Sequence, residues 1–298
     1  MKIQTFSIVA GTNACNAQCP FCVSKMTGLP GKAKEINWHN LNKAALLAKM
    51  SGTTTVLITG KGEPTLFPSN INDYLTHLCN NYKFPFIELQ TNGILMGKLA
   101  AGAIRAGQLN ERMLEHWYNK GLNTIALSTC SIHLDENQSV YGKDYPDLGM
   151  LVDYLHSFGF TVRLCLMMHY GGVYSPGGID QVIQFCQEYQ VEQLTARNIR
   201  KPDNSDNETV SSFVEDNSLI PKEEEEIYEY IKENGTLIMK LEQGAEVYDV
   251  DGQNVCLSDC LTLSADENLR QLIFYPSGRV TYDWQYEGAV LLGGRKWH

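Results

Sequence analysis

The sequence predicts an α/β fold, a partial (β/α)6 TIM-like barrel followed by a C-terminal α+β extension. Short runs of β-branched and apolar residues alternate with segments whose apolar residues recur at helical spacing. From the second run to the sixth, the starts lie about 30–40 residues apart, which is the length of a strand–helix unit in a parallel sheet. An ordinary doubly wound sheet has the same period, so the choice of a barrel rests on the motifs described below.

Six apolar runs predict the strands of the core. They lie at residues 3–10, 54–59, 86–91, 124–129, 161–168 and 191–196. Helices are predicted between them, because apolar side chains there recur every three or four residues, as at Leu41, Ala44, Ala45 and Ala48. Strands separated by helical crossovers pair in parallel and are buried on both faces.

The residues after position 200 predict a separate extension. Residues 201–220 are polar and acidic, which indicates a loop or mobile linker. Pro221 and the four glutamates at 223–226 suit the first turn of a solvated helix, and a hairpin turn is predicted at 275–279. We therefore expect a core barrel of residues 1–200 and an extension of residues 201–298 that partly covers it.

Composition limits the possible partners. The formal net charge of the 298 residues is −10, and no run is rich in lysine and arginine, which argues against binding to a nucleic-acid polymer. No apolar stretch is long enough for a membrane span, and the N-terminal residues lack the apolar core of a signal peptide. Nine cysteines then indicate a reducing compartment. We expect a cytoplasmic protein without a membrane partner.

Chemically active side chains follow the ends of all six predicted strands. In strand order they are Cys15, Cys19 and Cys22; residues 60–65; Thr91 and Asn92; Ser128; His169; and Arg197. The C-terminal ends of parallel strands share one face of the sheet, so these groups should gather at one rim of a barrel.

The three cysteines, spaced Cys15-x3-Cys19-x2-Cys22, suit an open metal centre. Structural zinc sites and closed iron–sulfur clusters use four protein ligands, whereas three thiolates leave one iron of a [4Fe–4S] cluster free for an external ligand. The amine and carboxylate of an amino acid could chelate that iron. A zinc site completed by His39 is the alternative.

These motifs resemble those of the radical S-adenosylmethionine (radical SAM) superfamily. The cysteine spacing, with Phe21 directly before Cys22, is similar to its cluster motif. Residues 60–64, GKGEP, are similar to its Gly-Gly-Glu-Pro motif, with Lys61 in place of a glycine. Thr91-Asn92-Gly93 resembles a third-strand motif common in several branches, and the resemblance covers about residues 3–200.

The resemblance implies an enzyme that binds a [4Fe–4S] cluster at Cys15, Cys19 and Cys22. Reductive cleavage of SAM would yield a 5′-deoxyadenosyl radical that abstracts hydrogen from a small-molecule or peptide substrate, with electrons from a flavodoxin or ferredoxin. The residues implied around the cofactors are Phe21, Gly60, Gly62, Glu63, Pro64, Thr91, Asn92, Ser128 and Arg163.

The remaining cysteines leave several readings open. Cys130, near the predicted rim, is a candidate catalytic residue. In the extension, one of Cys256 and Cys260 is a candidate hydrogen donor to a substrate radical, and we select Cys260. Cys256 and Cys260 are too few for an ordinary second cluster. Alternative functions are a glycyl-radical activase, a peptide maturase or, outside this class, a non-catalytic zinc-binding module.

Overall fold

A computed structural model describes residues 2–27, 35–103, 109–203, 205, 207–242, 244–258 and 268–294. The core strands are β1 (Ile3–Val9), β2 (Thr55–Thr59), β3 (Phe86–Thr91), β4 (Leu122–Thr129), β5 (Thr161–Met168) and β6 (Gln193–Asn198). The core helices are α1 (Val23–Met26), α2 (Trp38–Met50), α3 (Pro68–Asn81), α4 (Ile94–Ala100), α5 (Glu111–Asn119), α6 (Leu134–Tyr141), α7 (Leu148–His156) and α8 (Pro176–Glu188).

The extension contributes two helices and six strands among the described residues. They are α9 (Glu208–Asn217), α10 (Pro221–Asn234), β7 (Thr236–Lys240), β8 (Glu246–Val250), β9 (Gln253–Leu257), β10 (Leu269–Phe274), β11 (Val280–Thr281) and β12 (Val290–Leu292). The hairpin turn predicted at 275–279 is confirmed, since β10 and β11 pair antiparallel across it.

Strands β1 to β6 lie side by side in chain order and are all parallel. The extension prolongs this sheet at both edges: β10 pairs in parallel with β1, and β9 pairs in parallel with β6. The outer strands β11, β12, β8 and β7 then add antiparallel. The predicted fold class, a partial parallel barrel with a mixed C-terminal extension, is confirmed.

The two faces of the sheet differ in polarity. On β5, Val162, Leu164, Leu166 and Met168 are fully buried against the helices and form part of the main core. The alternate residues of the strand point to the opposite face, where Arg163 borders a polar cavity. The curved sheet therefore encloses a polar interior, and the apolar core lies between the sheet and the helices.

The loop predicted for residues 201–220 is wrong over residues 208–217, which form helix α9. The Asn207 side chain accepts a hydrogen bond from the Val210 amide at 3.1 Å and begins the helix. Val210 and Val214, one turn apart, are buried. These two positions carry the amphipathic signal, and the surrounding polar residues conceal it.

Helix α10 begins as predicted, but its first turn is not wholly solvated. Glu224 is 7% exposed and accepts hydrogen bonds from Arg200 at 2.6 Å and Asn198 at 3.2 Å. A solvated position for this glutamate was therefore wrong. The described helices are all too short or too polar to cross a bilayer.

Candidate active site

The cysteine loop connects β1 to α1 at the C-terminal rim of the sheet. Cys15 is exposed, and Cys19 and Cys22 are half-buried. All three line one open cavity of about 520 Å³, together with Lys25 and Lys61. Three thiols from this loop and two cations, one of them from the turn after β2, therefore face the same space.

The thiols affect one another's ionisation. Burial raises the pKa of Cys15, and the negative charge of Glu63 and Cys22 adds to that rise. Burial raises the pKa of Cys19 to about 12, and Cys22 and Cys15 contribute to the increase. Because thiolates are the metal-binding form, a metal centre at this loop must displace protons as it forms.

The donor set suits an iron–sulfur cluster. In the part of the chain that the structure describes, no three His, Cys, Asp or Glu side chains could together hold one metal ion. A cubane places each thiolate on a different iron, so its ligands need not meet at a single point. Three thiols around an open cavity leave room for a further ligand from the cavity side.

The turn after β2 lies directly against the cysteine loop. A Cβ atom on Gly62 would lie 2.0 Å from the Ala14 carbonyl oxygen, so only glycine allows this approach. The Glu63 amide donates to the same carbonyl at 2.9 Å. Pro64 opens the following short 3-10 turn, Pro64–Leu66. The residues of the GKGEP motif therefore hold the cysteine loop in contact with the turn after β2.

The Glu63 side chain is turned inward and is 3% exposed. Its carboxylate accepts four hydrogen bonds: from the Thr65 amide at 3.0 Å, the Thr65 hydroxyl at 2.6 Å, the Thr91 hydroxyl at 2.6 Å and the Asn92 amide at 2.9 Å. Burial raises the pKa of Glu63, and the four donors oppose that rise. Glu63 thus joins the loop after β2 to the loop after β3.

Asn92 continues this connection to the cysteines. Its side-chain amide donates to Asn16 Oδ1 at 2.9 Å and lies 3.9 Å from the Cys15 sulfur. The Thr91 hydroxyl, besides donating to Glu63, accepts from the Gly93 amide at 3.1 Å. The loops after β1, β2 and β3 are therefore one hydrogen-bonded unit.

Phe21 anchors the cysteine loop from below. Its ring is 8% exposed and packs on Tyr141, His169 and Phe213, with ring centroids 6.2, 5.2 and 6.4 Å away. His169 is fully buried; its Nδ1 accepts from the Gly171 amide at 2.9 Å, which assigns the proton to Nε2. Burial lowers the pKa of His169 to about 4.

The remaining predicted residues occupy different depths. Ser128 lies on β4 in register with Cys165 of β5, and its carbonyl accepts from Tyr145 at 2.9 Å. Arg163 faces the barrel interior, where it forms an ion pair with Glu88. Cys130 is fully buried, and its thiol donates to Asn137 Oδ1 at 3.3 Å, the placement of a core thiol. Cys260 lies outside the described residues.

Lys61 is a site residue that the sequence analysis left without a role. Lys61 is 6% exposed, and its ammonium donates to the Thr27 carbonyl at 3.0 Å and to the Thr27 hydroxyl at 2.6 Å, at the end of the cysteine segment. It also lies 6.0 Å from the ring centroid of Trp284. Burial lowers the pKa of Lys61 to about 8. One signal for such a role was present in the sequence, because Lys61 stands where the Gly-Gly-Glu-Pro motif has a glycine.

A second cavity, of about 480 Å³, occupies the barrel interior. It is lined by the inner faces of the parallel strands and by Trp284 of the extension. Lys61 lines the cysteine cavity and Trp284 lines the interior, so their contact marks where the two spaces adjoin.

Fold and site together define a class of enzyme in which a parallel barrel carries an open three-cysteine loop at its C-terminal rim. The family model described as the Radical SAM superfamily matches residues 9–186, from the end of β1 into α8. The chain belongs to the radical SAM superfamily. The cofactors that this family implies are a [4Fe–4S] cluster and SAM. The predicted family is confirmed, and the predicted cofactors are those of the family.

Solved structures show the same fold in larger proteins. SuiB of Streptococcus suis bound to S-adenosylmethionine has a TM-score of 0.62 and 15% identity, over 99% of this chain and 63% of SuiB. SuiB bound to its precursor peptide SuiA has a TM-score of 0.59 and 16% identity, over 99% of this chain and 62% of SuiB. HydG, a maturase of the [FeFe]-hydrogenase, has a TM-score of 0.53 and 11% identity, over 77% of this chain and 48% of HydG.

At these identities the likeness is one of fold. The chain spans less than two thirds of the length of SuiB and of HydG. Among curated proteins, none matches this chain.

Proposed function

We propose that this radical SAM enzyme abstracts hydrogen from a small molecule or a peptide segment that enters the barrel interior. The observation that carries the proposal is the contact between Lys61, which lines the cysteine cavity, and Trp284, which lines the interior cavity, because it brings the walls of the two cavities together. A cavity of about 480 Å³ has the size of a small-ligand site. Substrate and cofactor would then meet at the C-terminal rim.

In this proposal Cys15, Cys19 and Cys22 hold the cluster. When bound and reduced, the cluster supplies the electron that cleaves SAM to methionine and a 5′-deoxyadenosyl radical. The turn Gly60–Pro64 receives the methionyl amine on its backbone carbonyls, while Glu63 acts from inside by holding Thr91 and Asn92 in place. The buried aromatic rings below the loop exclude water from the cluster side.

The partners follow from the chemistry. A low-potential flavodoxin or ferredoxin is the proposed electron donor. The nine cysteines, three of them reserved for a cluster, suit a reducing cytoplasm.

A peptide maturase is the second candidate. It is favoured by the fold shared with SuiB, a protein solved with its precursor peptide SuiA, over 99% of this chain. A peptide could reach the interior by inserting one side chain past the rim.

Anaerobic reconstitution with iron and sulfide tests the proposal. The protein should turn brown, hold about four irons per chain and release 5′-deoxyadenosine from SAM once reduced. A colourless zinc protein without SAM cleavage would instead establish a non-catalytic zinc-binding module.

A further inference from the structure

Charged side chains line the barrel interior. Three are the arginines Arg163, Arg197 and Arg270, of which Arg270 has an interaction of its own, and Glu88 is the acidic lining residue among the described residues. Glu88 is already paired with Arg163. The remaining arginine, Arg197, also keeps its positive charge, because a guanidinium in a protein does not lose its proton.

Among the described residues, the guanidinium of Arg197 has no carboxylate partner for its positive charge. It is half-buried on β6, its Nε atom is buried without a hydrogen-bond partner, and no carboxylate of the described residues pairs with it. Leaving a buried guanidinium N–H unsatisfied costs about 1–3 kcal/mol or more. A bound oxyanion would satisfy both the charge and the geometry of the guanidinium fork.

The position of Arg197 separates it from the cysteine loop. β6 is the sixth strand of the parallel series, whereas the cysteines follow β1 and the GKGEP turn follows β2. Arg197 pairs in register with Met167, and Thr195, two residues earlier, pairs with Cys165 and Cys256. It therefore stands across the barrel from the proposed SAM turn, one inward-facing step nearer the rim than Cys256.

The pKa of the Cys256 thiol responds to the positive charges of the neighbouring arginines. Burial raises the pKa of Cys256, whereas the positive charges of Arg197 and Arg163 lower it. Cys256 lines the same cavity and is half-buried. An anion bound at Arg197 would both shield Cys256 and weaken the cation that favours its thiolate.

We propose that Arg197 binds an oxyanion of the substrate, a carboxylate or a phosphate, on the far wall of the barrel interior. This inference rests on the proposed function, because it names the chemical class of the group that enters the interior cavity. Arg197 on β6 and Trp284 both line this cavity, so the oxyanion would lie at β6 and the rest of the substrate would extend toward Trp284.

Alkylation of Cys256 tests the inference in the reconstituted, SAM-bound full chain. The rate of modification by iodoacetamide is followed by peptide mass spectrometry while inorganic phosphate or glutarate is titrated at constant ionic strength. Cys79, on helix α3, serves as the internal reference. We expect at least one anion to slow Cys256 saturably, by about 5-fold or more, without affecting Cys79; the anion that does so identifies the phosphate or the carboxylate.

Three variants make the result specific. Arg197→Gln should weaken the protecting anion at least 10-fold, about one charge-assisted hydrogen bond, and Arg197→Lys should retain part of the effect. Arg112→Gln, which removes the same charge from the exposed face of α5, should behave as wild type. The inference is overturned if neither anion protects Cys256, if protection survives in Arg197→Gln, or if Arg197→Gln lowers the affinity for SAM instead.

The same preparation separates this inference from the proposed function. SAM cleavage without anion protection would defeat the oxyanion site alone. Anion protection without any 5′-deoxyadenosine would defeat the proposed reaction and leave the oxyanion site standing.

Discussion

Glu63 illustrates how one buried motif residue can hold several loops of a site together. Its four accepted hydrogen bonds join two loops, and the adjoining Gly62 contacts a third. Replacing it therefore disturbs the shape of the proposed SAM site through Thr91 and Asn92.

Glu63→Ala should keep the cluster but weaken SAM binding at least about 10-fold, because several buried donors lose their acceptor. Glu63→Gln should be milder, since the amide oxygen still accepts. Equilibrium binding of SAM to cluster-loaded protein measures both, with exposed Glu115→Ala as the control. Equal SAM affinity in all three would remove the GKGEP turn from the site.

The assignment of three cysteines as cluster ligands predicts the iron content of the cysteine variants. Changing Cys15, Cys19 or Cys22 to Ser should abolish the cluster and SAM cleavage, because each is a proposed ligand. Changing Cys256 or Cys260 should leave about four irons per chain. A wild-type value near eight irons, falling to four in either extension variant, would reveal a second cluster.

His169 predicts a pH dependence. Its pKa is lowered from 6.5 to about 4, so the unfolded chain binds a proton in this range that the folded chain does not. Stability should consequently fall as the pH drops from about 6.5 toward 4, by up to about 3 kcal/mol.

Urea unfolding of the cluster-free protein at several pH values measures this loss. His169→Phe should flatten the acid limb, because the buried imidazole no longer resists protonation. His133→Gln, at an exposed position, should retain the wild-type slope. An unchanged slope in His169→Phe would assign the acid sensitivity to other groups.

Helix α9 of the extension packs against residues that support the cysteine loop. Its Phe213 ring packs on Phe21 and His169, so the helix supports the cysteine loop from the extension side. Phe213→Ala should shorten the half-life of the cluster in a chelator about 2- to 10-fold, since an aromatic pair contributes about 0.5–1.5 kcal/mol. Exposed Ser212→Ala is the control; a half-life equal to wild type in both would show that α9 gives no support.

The core elements were predictable because their signals are local. The apolar runs, the cysteine spacing and the GKGEP turn lie within short windows, and they predicted the six parallel strands. Helix α9 was missed, because its two buried valines are surrounded by polar residues. The inward orientation of Arg163 depends on strand parity, and the pairing of β9 and β10 with the core depends on residues far apart in the chain, which local patterns do not encode.

The net negative charge of the whole molecule disfavours binding to nucleic acids. With net charge −10, the protein should not bind duplex DNA or structured RNA at physiological salt, where even non-specific binders reach only about 10⁻⁴–10⁻⁶ M. Fluorescence anisotropy with labelled duplex DNA and tRNA measures this. Tight binding to tRNA that weakens steeply with salt would place RNA modification first among the possible reactions.

The parallel pairing of β1 with β10 governs the order in which this protein can fold. Ile3 pairs with Leu269, so β1 leaves the ribosome more than 250 residues before the strand that covers its outer edge. Such long-range closure slows folding and leaves an apolar strand edge open to other chains during synthesis. The cysteine loop begins beside that same strand. Its three thiols are therefore synthesised long before the outer edge of β1 is covered.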